Sequence, residues 1–182
     1  MLHKSFFISL ICAVALTLLS CGGGGSGSGS AKSSGTPYST GTFNIQVPKG
    51  WEVSPFYRSG EVVPNTLGVH KGTALEYRSM TVPCMQIQFF PKGGQNFERN
   101  ANAGYQEVKE MKPVQIGKYK WIGYTGMGTS SGVRYDLPVI YMGTEVDGGA
   151  QIVVAMWTEL GGKKVSLDDA DVKSIVSSIT IE

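Results

Sequence analysis

The chain has 182 residues, with 16 Lys and Arg against 14 Asp and Glu, and a net charge of +2. That length suits one domain rather than two, and the near balance of charge excludes the basic footprint of a nucleic-acid binder. Cys12, Cys21 and Cys84 are too few and too scattered for a disulfide scaffold, so an apolar core has to hold the fold. His70 is the one histidine beyond the first residues, and no Cys-x-x-Cys pair accompanies it. A zinc site therefore lacks ligands, and no metal or cofactor is expected.

Residues 1–20 read MLHKSFFISLICAVALTLLS, where Lys4 precedes an uncharged apolar run from Phe6 to Leu19. The run is short for a spanning helix, which needs about 20 apolar residues, and has the form of a secretory signal's hydrophobic region. It closes on Leu18-Leu19-Ser20-Cys21. This resembles the lipobox of bacterial lipoproteins, with a leucine three residues before the cysteine and a small residue directly before it. The resemblance implies a signal peptide over residues 1–20, with Cys21 the lipidated first residue of the mature protein. A single acyl chain binds only marginally, at about 0.8 kcal/mol per buried methylene, whereas the two or three palmitate-like chains such lipoproteins carry make a lasting anchor. Gly22 stands where an aspartate would resemble an inner-membrane retention signal. The outer membrane is the expected address if the cell has two membranes.

After Cys21, the Gly/Ser tract to residue 36 has nothing to bury and no reason to fold. Residues 21–36 are expected to be a lipidated cysteine and its tether. Such a chain spans roughly 20 Å on average and about 50 Å drawn out.

Residues 37–182 are expected to form a single α+β domain. Thr42–Val47 alternates apolar and polar with the period of a half-buried strand. Pro48-Lys49-Gly50-Trp51 is turn chemistry followed by an aromatic placed on the core. Cys84–Phe90 alternates again and stops at Pro91. Across Asn96–Met111, the residues Phe97, Ala101, Gly104, Tyr105, Val108 and Met111 recur at threes and fours, which predicts a helix ended by Pro113. Further strands are predicted over Tyr119–Tyr124, Val133–Met142 and Ala150–Trp157, joined by turns at Gly126–Gly132 and Asp147–Gly149. Pro138 should mark an edge or a bulge. A last helix is predicted from Leu167 to Ile179, with Ser166 and Asp169 spaced as a capping box, and Thr180-Ile181 returns as a short strand. The sum is an antiparallel sheet of about six strands covered by two main helices.

The strand running through Phe43 and Val47 into Pro48-Lys49-Gly50-Trp51, and the closing helix with Val172, Ile175, Val176 and Ile179, resemble the PsbP/Mog1/DcrB-like fold. Members of that fold differ in function and share no catalytic residues. The resemblance therefore implies the fold alone.

Candidate chemistry is sparse. His70 is the one possible general base, and Ser54, Ser59 or Ser79 could serve as nucleophile, but none sits in a Gly-x-Ser-x-Gly elbow. Gly126–Gly132 opens onto a strand, unlike a phosphate loop. Asp168, Asp169 and Asp171 fit the first turn of a helix, where carboxylates favour the positive end of the dipole. Cys84 is expected to be a buried thiol, and Lys163-Lys164 a solvated loop tip. No enzyme is expected. Tyr119, Trp121, Tyr135, Tyr141 and Trp157 fall on neighbouring strands; any that line an open face would form a binding surface, and the rest should be core. The sequence thus points to a lipid-anchored, non-catalytic envelope lipoprotein that binds another envelope protein or supports an assembly. The alternative is a small-ligand binder with a pocket between sheet and helices. A deep pocket at a helix–sheet seam favours the ligand, and a flat exposed apolar patch favours the protein partner.

Overall fold

A computed structural model describes residues 35–92, 105–130 and 133–182, with the backbone alone described at 129–130 and 133–136. The leader, Cys21 and most of the tether lie outside these residues. Three sheets, the smallest a two-stranded hairpin, and two α-helices make up the described part, an α+β architecture. Strands β1 (Thr36–Ser39) and β2 (Phe43–Val47) pair antiparallel. Strands β3 (Glu52–Arg58) and β4 (Glu61–His70) form a hairpin, and a short helix α1 (Ala74–Arg78) leads to β5 (Cys84–Phe90). Then come β6 (Tyr105–Glu110), β7 (Val114–Ile116), β8 (Tyr119–Ser130), β9 (Val133–Val146) and β10 (Ala150–Trp157). A small hairpin of β11 (Glu159–Leu160) and β12 (Lys163–Lys164), helix α2 (Ala170–Ser177) and β13 (Thr180–Ile181) complete the chain.

The larger sheet has eight strands rather than about six. Its order is β3-β4-β5-β10-β9-β8-β6, with β7 also paired to β8, and its pairings are antiparallel throughout. Strands β3, β4, β6 and β7 were not expected, while the expected β2 and β13 pair in the smaller three-stranded sheet. Tyr105–Glu110 is a strand where the end of a helix was predicted; the rest of that predicted helix lies outside the described residues. Pro138, expected at an edge or bulge, sits in the interior strand β9, one residue past its last pair with β10 (Val139 with Trp157). A missing N–H costs nothing where that ladder has ended, and the Thr158 N–H donates to the Pro138 carbonyl at 2.9 Å.

Alternation assigns the two faces of this sheet. Val69, Met85, Met156 and Ile140 form one cross-strand row, and His70, Cys84, Trp157 and Val139 the next, on the opposite face. The first face packs against α2 and the three-stranded sheet β1-β2-β13. From β2 come Phe43, Ile45 and Val47, from α2 come Val172, Ile175 and Val176, and Trp51 joins them as expected. Gly117, at a φ of +62°, lets α2 approach, since a Cβ there would lie 2.8 Å from the Ser177 backbone. Helix α2 starts later than Ser166, with Asp169 as its N-cap residue, and the Ser166 N–H donates to the Asp169 carboxylate at 3.0 Å. Among the described residues no helix is long and apolar enough to cross a membrane.

The second face carries a smaller cluster of Tyr77, Cys84, Val139, Ala155, Trp157 and Leu160 under α1 and the β11–β12 hairpin. This is where the sheet and a helix meet around open space.

Candidate functional site

Helix α1 has five residues, too few to hold itself together without a cap. Thr73 and Glu76 supply one. The Thr73 hydroxyl accepts from the Glu76 N–H at 3.3 Å, and the Glu76 carboxylate accepts from the Thr73 N–H at 2.8 Å. The bonds its carboxylate accepts from the Thr73 N–H and hydroxyl hold the Glu76 carboxyl below the usual carboxylate range. The helix then turns Tyr77 inward and leaves Leu75 and Arg78 outside.

Tyr77 is pinned from three directions. Its ring lies over Gly68 in β4, where a Cβ would come within 2.3 Å of the ring. The ring stacks on His70, and its hydroxyl is hydrogen-bonded to Gln86 in β5. Burial pushes that hydroxyl well above its usual pKa. His70, fully buried, is itself bonded at both nitrogens, Nδ1 to the Gly72 carbonyl at 2.9 Å and Nε2 to Ser54 Oγ at 2.9 Å. A carbonyl can only accept, so Nδ1 carries the proton and Nε2 accepts from Ser54. Burial lowers the His70 pKa, which keeps the ring neutral.

Beside Tyr77 opens a cavity of about 500 Å³. The β3–β4 hairpin supplies Pro55, Phe56, Tyr57 and Gly60, α1 and its exit supply Tyr77, Arg78 and Met80, and β5 supplies Gln86. Three aromatic rings and a thioether make up half of these lining residues, and Arg78 is the one charged side chain on the wall. Neither Ser54 nor His70 belongs to the lining. The serine–histidine pair closes the seam behind Tyr77 instead of facing the cavity.

No family model matches the chain, and no curated protein matches it. It is similar to a crystal structure from Bacteroides thetaiotaomicron VPI-5482 at 14% identity, with a TM-score of 0.47, over 81% of this chain and 48% of that one. The chain spans about half the length of that protein.

The aromatic residues singled out from the sequence do not assemble into one surface. Trp121 is fully buried in the first core, its indole N–H donating to the Ile116 carbonyl at 3.3 Å. Tyr119 packs edge-on against it, at 6.5 Å between ring centroids. Trp157 is buried on the opposite face of the sheet, and Tyr141 meets Tyr105 there at 5.5 Å. The side chain of Tyr135 lies outside the described residues. Trp121 and Trp157 are thus enclosed on opposite faces of the sheet, with Tyr119 and Tyr141 half-buried beside them.

The remaining candidates separate in the same manner. Asp168 pairs with Lys173 at 2.9 Å, Asp169 bonds Ser166, and Asp171 accepts from the Trp51 indole at 3.1 Å. Among the described residues no group of three His, Cys, Asp or Glu side chains could hold a metal ion. Cys84 is buried as expected, and its thiol is pushed up to about 12 by that burial. Lys163 and Lys164 are exposed in β12, with Lys164 3.1 Å from Glu159. Sequence reasoning missed the cavity residues entirely. The one signal that could have found them is Thr73-Ala74-Leu75-Glu76, a capping-box spacing directly ahead of Tyr77.

Proposed function

We propose that the chain is a lipid-anchored protein of the bacterial envelope whose domain binds a small ligand, without catalysis, in the cavity between α1 and the β3–β4 hairpin. The cavity carries this reading. At about 500 Å³ it falls within the usual size of small-molecule sites, and its wall at Tyr77 is pinned before a ligand arrives, which lowers the ordering cost of binding. Among the described residues, the exposed large apolar side chains are Tyr38, Tyr57, Val62, Leu75 and Ile122; of these Tyr57 and Val62 alone are cross-strand partners, a poor match to one flat docking patch. A thermal-shift screen of small metabolites on the purified chain tests it. Hits that vanish when Met80→Trp fills the cavity support the reading, and hits indifferent to that change reject it.

The anchor follows from Cys21 and the Gly/Ser tether, with the outer membrane as the address in a cell with two membranes. Cys21→Ser should move the protein to the soluble fraction; retention with the membrane rejects the anchor. The finer fold assignment is PsbP/Mog1/DcrB-like, supported by the turn at Pro48-Lys49-Gly50-Trp51 after β2 and by the closing helix α2. A second reading, binding of another envelope protein or support of an assembly, draws on Tyr57 and Val62. They are exposed and directly opposite each other on the hairpin at the cavity's rim. Crosslinking in intact cells with the lipidated protein as bait would reveal one dominant partner if this reading holds.

A further inference from the structure

Resting on the ligand-binding reading of the α1 cavity, we infer that its ligand is a small monocarboxylate with an aromatic or aliphatic body. Phe56, Tyr57, Tyr77 and Met80 offer that body rings and a polarisable sulfur, with no carboxylate on the wall. Arg78 adds a single positive charge, and it makes no ion pair among the described residues. A guanidinium presents its donors in a planar fork that a carboxylate fills with two parallel hydrogen bonds. A cation would be repelled by Arg78, and a neutral molecule would leave the fork to water. A phosphate monoester carries close to two charges at neutral pH, more than this wall compensates.

Calorimetric titration of the purified full-length chain tests the inference, using 4-phenylbutyrate and octanoate against their uncharged carboxamides. The acids should bind at least about tenfold more tightly than the amides, equivalent to about 1.4 kcal/mol. Arg78→Gln should remove that preference while leaving the fold intact, since Arg78 is exposed. Arg78→Lys should restore only part of it, because an ammonium is a point charge. Amides that bind as well as acids, with both lost in Met80→Trp, would overturn the carboxylate inference and leave the cavity reading standing. Binding by neither series overturns the inference too, and the metabolite screen then decides separately whether the cavity binds anything.

Discussion

The imidazole of His70 lies flat against the phenol ring of Tyr77, with centroids 4.7 Å apart and planes 7° from parallel. This stack ties β4 to α1, and the Ser54 bond extends the tie to β3. The histidine that looked like a possible base from the sequence is thus a support for the cavity wall. It positions Tyr77, and Tyr77 faces the cavity.

Stability should therefore depend on pH through His70. Burial depresses its pKa below the ordinary 6.5, against the upward pull of the Gly72 carbonyl and of the Glu52 and Glu76 carboxylates. The unfolded chain then takes up the proton first as pH falls, so stability present above about pH 6.5 is lost below it. Carboxylates titrate lower, near pH 4. Melting temperatures measured between about pH 7.5 and pH 5.5 should fall in the wild type and fall less steeply in His70→Gln. Equal slopes in the two proteins would show that His70 does not contribute.

Gly68→Ala probes the same wall from below. The new Cβ would sit 2.3 Å from the Tyr77 ring, against a sheet that cannot recede. Overpacking of this kind costs about 1–3 kcal/mol, readable in urea denaturation, and should weaken any ligand held in the cavity. A cost under about 0.5 kcal/mol, the range of neutral surface changes, would mean that Tyr77 moves aside freely.

Asp171 separates a hydrogen bond from an ion pair. Its carboxylate accepts from the Trp51 indole N–H at 3.1 Å and lies 3.6 Å from the Lys71 ammonium. The ion pair is half exposed and contributes little, whereas Trp51 is buried. Asp171→Asn should change stability by less than about 0.5 kcal/mol, and Asp171→Ala should cost about 1–2 kcal/mol by leaving the indole unpaired. Similar losses in both variants would assign the effect to charge.

Trp121→Ala should be among the most damaging single changes. Its side chain is fully enclosed between the sheet and its covering layer, and such truncations cost about 3–5 kcal/mol. A residue on a binding surface would behave differently, losing affinity with little change in the urea midpoint.

How much of this was legible depends on whether the signal was local. Local pattern placed β5 and β10 to the residue, β2 to within one, the closing helix, the returning Thr180-Ile181 strand, the core position of Trp51 and the burial of Cys84. Each rests on a short period or a turn that neighbours along the chain impose on one another. Where pairing bends the period, the reading failed. Tyr105 and Val108 are three apart yet both half-buried, because β6 shifts register against β8 between Gln106 and Lys109, with Glu107 at a φ of +51°. A bulged strand thereby copies the spacing of a helix. The β3–β4 hairpin hid for a related reason, with Pro55 on an edge strand and Pro64 within the register shift between Pro55 and Tyr57. The cavity has no such local signal. Phe56, Tyr77 and Gln86 come from a hairpin, a helix and a strand, and what brings them together is the packing of α1 over Gly68, a contact between elements that no local period encodes.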